Sequence, residues 1–198
     1  MTIETVERPV AAAFDPLAQA IADVGGLPEP VTGAFADVPV RTKELVIVDW
    51  SGDLDKIWPV LILSSTAAAS GVRCKVFVTF WGLQNFVKDS KRITGQNWMQ
   101  KSLSAMQRPG ISHRKLSRMN FLGMGPWMMG RLAKQYGVAS PKELLEAAQA
   151  MGVEFIPCQM TMDMFGLKPE DMIDGMGEPA GAATVIGLLT ENSTPLFI

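Results

Sequence analysis

The sequence predicts an α/β domain in which helices wrap a mainly parallel sheet. Three observations lead there. From Lys43 onward, apolar runs alternate with amphipathic stretches, the pattern of strand–helix–strand units with right-handed crossovers. Leu45-Val46-Ile47-Val48 is apolar at every position, as a strand covered on both faces must be. Ser140, Pro141 and Glu143 form a helix start with capping-box spacing just ahead of a further apolar run.

Residues 1–40 stand apart from this pattern. They hold one basic residue (Arg8), six acidic residues and five prolines, so they carry −5 against +3 for residues 41–198. We read them as an acidic, Pro/Ala-rich leader, partly ordered. One short helix fits inside it, with Asp15 as cap, Pro16 in the first turn, then Leu17, Ile21 and Val24, stopped by Gly25-Gly26. A disordered tail is the alternative.

The domain proper occupies residues 41–198. Its first strand, Leu45 to Val48, runs into Asp49-Trp50-Ser51-Gly52. Asp53 can cap a helix whose Leu54, Ile57, Trp58, Leu61 and Ser65 recur at three- and four-residue spacing, with Gly71 as its stop. Lys75 to Phe80 reads as a second strand, followed by Trp81-Gly82. The capping box opens a helix through Leu144, Leu145, Ala148 and Met151, closed by Gly152. Val153 to Pro157 is then a strand that ends at Cys158, and Gln159 to Phe165 is a helical turn closed by Gly166. Pro169, Glu170 and Asp171 open a short helix, and Ala183 to Leu189 reads as the last strand.

The segment 88–135 breaks the rhythm. Residues 88–118 carry eight Lys/Arg against the single acid Asp89, and all twelve methionines other than Met1 lie between Met99 and Met176. Met adapts to irregular surfaces. A basic, Met-rich helical excursion therefore faces either a partner or a second copy, or else its Met residues fill the core and its Lys/Arg are solvated.

Composition removes several function classes. A net charge of −2 over 198 residues carries no nucleic-acid footprint. Two cysteines and one histidine offer neither a disulfide scaffold nor a zinc cluster. The apolar run Ile57 to Leu63 falls far short of a membrane span. The N-terminus lacks the basic residues of a secretory signal, so a reducing cytoplasm is the expected compartment. Gly123-Met124-Gly125 and Gly175-Met176-Gly177 lack the third glycine of a dinucleotide fingerprint. His113 sits in the polar, basic run Ile111 to Lys115 and reads as a surface residue, which gives hydrolase chemistry poor support.

Cys158 is the candidate reactive residue. Sites on parallel sheets gather at the carboxyl ends of the strands, and a thiol at a helix start meets free N–H groups that favour thiolate. Trp50, Ser51, Gly52, Trp81 and Gly82 are expected on the same edge, and with Gln159, Met160 and Met162 they are the candidate walls of a small pocket. An ordinary buried cysteine is the competing reading. Cys74 precedes its strand core, so a strand of about five residues, roughly 16 Å, separates the two thiols. That exceeds the roughly 7 Å limit between bridged Cα atoms.

Several blocks resemble a known family. Ser51-Gly52-Asp53-Leu54-Asp55-Lys56, Thr79-Phe80-Trp81-Gly82-Leu83, Lys115-Leu116-Ser117-Arg118-Met119-Asn120, Pro157-Cys158-Gln159-Met160-Thr161-Met162-Asp163 and Pro195-Leu196-Phe197-Ile198 look like the DsrE/DsrF-like family. They are most similar to its larger branch, labelled peroxiredoxin-like or DsrE-type sulfur relay. The resemblance spans residues 43–198. It implies a three-layer α/β/α domain, usually homo-oligomeric, that passes sulfur as a cysteine persulfide from rhodanese-like donors to TusA-like acceptors. The family's sulfur-carrying cysteine matches Cys158, which makes a sulfurtransferase activity through that residue the implied chemistry. That chemistry needs no metal or organic cofactor. A non-catalytic module that binds a small ligand or a protein is the alternative. A thiol peroxidase ranks last, because Glu154-Phe155-Ile156-Pro157 precedes Cys158 in place of the peroxidase context.

Overall fold

The computed structural model describes residues 44–91, 94–106, 108–191 and 193–198. The leader and its expected helix lie outside the described residues. Four strands form the sheet: β1 (Glu44–Asp49), β2 (Arg73–Val78), β3 (Glu154–Pro157) and β4 (Ser193–Phe197), in the order β3-β2-β1-β4. Glu44 lies opposite both Arg73 and Ser193, and Lys75 lies opposite Glu154; all three pairings are parallel. The carboxyl ends Asp49, Val78 and Pro157 therefore share one edge.

Helix α1 (Leu54–Ala69) joins β1 to β2 and buries Leu54, Ile57, Val60, Leu61, Ser64 and Ser65. Asp53 holds the cap position, but its side chain makes no capping bond. The Leu54 N–H instead donates to the Lys115 carbonyl at 2.8 Å. The chain leaves the helix through Gly71 at a φ of +75°, a conformation that glycine adopts without strain.

β2 stops at Val78, two residues before the sequence reading placed its end. Phe80–Leu83 forms a short helical turn, α2. The reason lies at Gly82, whose N–H donates to the Trp50 carbonyl at 3.1 Å. A Cβ there would meet the Asp49 carbonyl oxygen at 2.7 Å. Without one, the chain folds back across the end of β1.

Two helices of the middle segment, α3 (Trp98–Met106) and α4 (Met124–Gln135), bury none of their residues. Helix α5 (Pro141–Ala150) starts with a complete capping box. The Glu143 N–H donates to Ser140 Oγ at 3.3 Å, and the Ser140 N–H donates to Glu143 Oε2 at 2.7 Å. After β3, Cys158 occupies the cap position of α6 (Gln159–Phe165), which ends at left-handed Gly166.

Residues 183–189, expected as the last strand, form instead the helix α7 (Ala182–Thr190). The last strand is Ser193–Phe197, which takes the place beside β1. A short apolar run without alternation fits a buried helix as well as a strand, and here the place in the sheet went to the segment after it.

The side chains of the strands alternate between two apolar layers. Ile47, Val76, Val78 and Phe155 pack with Ile57, Val60 and Leu61 of α1 and with Leu145 and Ala148 of α5. Val48, Phe77, Ile156 and Cys158 pack with Val185 of α7. The result is a helix–sheet–helix sandwich with a parallel centre.

Candidate functional site

Cys158 ends β3 and begins α6. Its N–H donates to the Val78 carbonyl at 3.0 Å, and its carbonyl accepts the Met162 N–H at 3.0 Å. Cys158 belongs to the apolar layer that holds Val185, with Ala180, Leu188 and Leu189 packed against that layer, and it is only 5% exposed. Burial alone pushes its pKa up. The Thr161 and Thr79 hydroxyls and the Thr161 and Met160 N–H groups outweigh burial, and the net direction is down. No N–H makes a full capping bond to the neutral thiol. These donors therefore act mainly on the thiolate.

The two hydroxyls can be counted proton by proton. Thr79 Oγ1 and Thr161 Oγ1 lie 3.1 Å apart, and the Phe80 N–H donates to Thr161 Oγ1 at 3.2 Å. One hydroxyl proton is consumed between the two threonines, whichever of them donates. The other remains available to the sulfur. Phe80, which supplies the N–H, sits at a φ of +48°, an unfavourable conformation for a residue with a Cβ. Thr79 and Thr161 were not singled out from sequence. Thr79 follows β2 at the level where Cys158 follows β3, a relation set by the pairing of the two strands and not by either one's sequence, and Thr161 stands three residues into the turn that Cys158 opens.

Cys74 meets the opposite conditions. It lies near the start of β2 and is buried. Burial first, and then the charge of Glu44, push its pKa up to about 11. The two cysteines lie at opposite ends of the sheet, and both are free.

The expected pocket walls fall into separate places. Met160 contributes its backbone N–H to Cys158, while its side chain and that of Gln159 are exposed. The Gln159 amide donates to Asp163 Oδ1 at 2.8 Å. Met162 points into the other apolar layer. Trp50 is half exposed and packs on Phe197 at 6.1 Å between ring centroids. Gly82 is buried against Asp49. Ser51, Gly52 and Trp81 line a cavity of about 410 Å³ that Cys158 does not reach. Trp81 also stacks on Phe165 of α6 at 5.3 Å, so it links the cavity wall to the helix that Cys158 opens.

The same edge holds a second unusual group. Asp49 is fully buried and accepts the Ser51 N–H at 3.2 Å through Oδ1, while Oδ2 has no partner among the described residues. Burial raises its pKa to about 7. By strand alternation it shares the face of Ile47, away from the layer that contains Cys158. No cluster of three or more His, Cys, Asp or Glu able to hold a metal occurs among the described residues.

Comparison with known proteins adds a relationship to this geometry. The DsrE/DsrF/DrsH-like family matches residues 41–197. YrkE, an uncharacterized protein of Bacillus subtilis, is 35% identical over 158 residues, covering 80% of this chain and 98% of its own length. The sulfur carrier protein DsrE2 of Allochromatium vinosum is 38% identical over 162 residues, covering 80% of this chain and 100% of its own. Among solved structures, the protein of unknown function MTH1491 from Methanobacterium thermoautotrophicum is 13% identical, with a TM-score of 0.45 over 79% of this chain and 98% of that one. A family match over the whole of the α/β domain, together with relatives above 30% identity across their own lengths, places this chain in the DsrE/DsrF/DrsH-like family.

Proposed function

We propose that this protein relays sulfur as a persulfide on Cys158 between protein partners. The carrying observation is the set of donors gathered around one thiol at the carboxyl edge of the sheet, which lowers its pKa against the pull of burial. The relative DsrE2 is named a sulfur carrier, and that name supports the reading.

The Cys158 thiolate attacks the outer sulfur of a donor persulfide. The donor's sulfur–sulfur bond breaks, and the donor departs as a thiolate. Cys158 then holds the outer sulfur as its own persulfide. An acceptor thiolate attacks that sulfur in turn, and Cys158 leaves as the thiolate it began as. No net oxidation occurs, and no cofactor takes part. A low pKa serves both halves, since it supplies the attacking thiolate and improves the leaving group. The donors in this scheme are rhodanese-like proteins and the acceptors TusA-like, in a reducing cytoplasm. No helix among the described residues is long and apolar enough to cross a membrane. The apolar residues around Sγ shield the persulfide. Exchange then requires Ala180 and α7 to move aside, and α7 is suited to that because Val185 is its one buried residue.

The exposed face of α4 is assigned to a second copy of the chain. A twofold pair covers the same patch on both subunits, which removes the apolar surface of Trp127 and Met128 from water. The competing reading, a small-ligand module, draws support from the cavity at Ser51, Gly52 and Trp81.

Intact mass after treatment with polysulfide separates these readings. Wild type and Cys74→Ser are expected to gain sulfur and lose it to reductant, while Cys158→Ser stays unloaded. Equal loading of wild type and Cys158→Ser rejects the carrier reading and leaves the ligand module.

A further inference from the structure

The cavity beside Ser51 and Trp81 is lined by more cations than anions among the described residues. Its volume is about 410 Å³, within the range of roughly 300–1,000 Å³ in which small-molecule sites fall. Arg108, Arg114 and Lys115 line it, with Asp53 as the one carboxylate among the described lining residues. Three positive charges against one leave +2. His113 also lines the cavity, but its Nδ1 lies 3.7 Å from Asp89 Oδ1.

Arg114 is the strongest element of the site. It is only 9% exposed, and a buried cation is costly unless it is paired. Its Nε donates to the Gly110 carbonyl at 2.8 Å, and Nη2 donates to the Gln84 carbonyl at 3.1 Å and to the Arg108 carbonyl. Those are neutral acceptors. Among the described residues no carboxylate lies within 4.0 Å of Arg108, Arg114 or Lys115. Burial lowers the Arg114 pKa to about 10, and the more distant Asp89 and Asp53 only partly oppose it. The guanidinium therefore remains charged and lacks a direct counterion.

The surrounding backbone holds this charge in place. The Lys115 carbonyl is tied to the start of α1 by the Leu54 N–H, so the Lys115 side chain is fixed at its root and free at its tip. Gly52 brings its loop against α2 so closely that a Cβ would meet the Trp81 carbonyl oxygen at 2.9 Å. The exposed part of Trp81 adds an apolar surface to the cavity lining.

We propose that this cavity binds a small organic anion bearing a phosphate or polycarboxylate group, held by Arg108, Arg114 and Lys115, with its apolar part against Trp81. This site is separate from Cys158 and stands whether or not Cys158 carries sulfur.

Calorimetric titration of the full chain at constant ionic strength tests it, with pyrophosphate and citrate as probes. One of the two is expected to bind saturably, one per chain, and which one does so identifies the anionic group. Arg108→Gln and Lys115→Gln, both at exposed positions, are each expected to weaken binding about tenfold, the size of a charge-assisted hydrogen bond. Lys101→Gln, outside the cavity, and Cys158→Ser should bind as wild type does. Absence of saturable binding by either probe overturns the proposal. So does equal binding by wild type, Arg108→Gln and Lys115→Gln.

Discussion

Cys158 and Cys74 are covered to the same degree, at 5% and 4% exposure, yet their pKa values move in opposite directions. The difference is in the groups that face the sulfur. Cys74 has an acidic neighbour, while Cys158 has hydroxyls and N–H groups. The alkylation rate of Cys158 should therefore rise with pH through a midpoint below that of an ordinary thiol, about 8.5. Thr79→Val together with Thr161→Val removes both hydroxyls and leaves the sulfur no hydroxyl proton, so the midpoint should move upward, with Thr79→Ser together with Thr161→Ser restoring it. Peptide-mapped alkylation rates across pH decide this, and an unmoved midpoint in the variant with both threonines changed to Val means that the hydroxyls do not hold the thiolate. The position of Cys158 was legible because the β-favouring run Val153 to Pro157 stops at it and Gly166 closes the turn after it. The threonines were not legible. Their role depends on β2 and β3 being adjacent and in register, which the spacing within one strand does not reveal.

At the level of elements, start signals proved more informative than apolar content. Ser140, Pro141 and Glu143 announced α5 with its cap in place. Ser140→Ala should cost about 1 kcal/mol, the usual worth of a capping residue, measured as a lower urea midpoint at unchanged slope. A change within a few tenths of a kcal/mol would show that packing against α1 alone holds that helix end. The segments 183–189 and 193–197 show the converse. Ala183 to Leu189 is rich in β-branched and apolar residues but became a helix. Ser193 to Phe197 contains Pro195 but became a strand. Proline is tolerated in a strand at the edge of a sheet, and β4 is at the edge. Local composition pointed the wrong way because the order of strands in the sheet decided both segments. β2 ended early for a related reason: the fold-back at Gly82 is a contact with Asp49, far away in sequence.

For the whole molecule, the alternation of strands and helices was enough to identify a parallel sheet between helical layers, while the surface was harder to read. Helix α4 leaves Trp127 61% exposed and Met128 56% exposed, a large apolar face for a single chain in water. Light scattering should show an oligomer for wild type and a smaller species for Trp127→Glu. A monomeric wild type, or an oligomer indifferent to the change, removes the assigned second copy. The two margins of the sheet are also protected in different ways. Beside β3, Met176 and Ala180 form bridges to Phe155 and Cys158, so that margin offers little free ladder to another chain. Beside β4 no further strand pairs among the described residues, and there Pro195 lacks an N–H and interrupts its row of donors. The sheet is thus closed to fibre-like growth on one side by its own chain and on the other by a missing proton. The same bridge that seals the β3 margin pairs Ala180 with the backbone of Cys158. Any motion that lifts Ala180 from Cys158 also bares a strand edge for as long as it lasts, so under the proposed relay each opening would carry a brief exposure to aggregation.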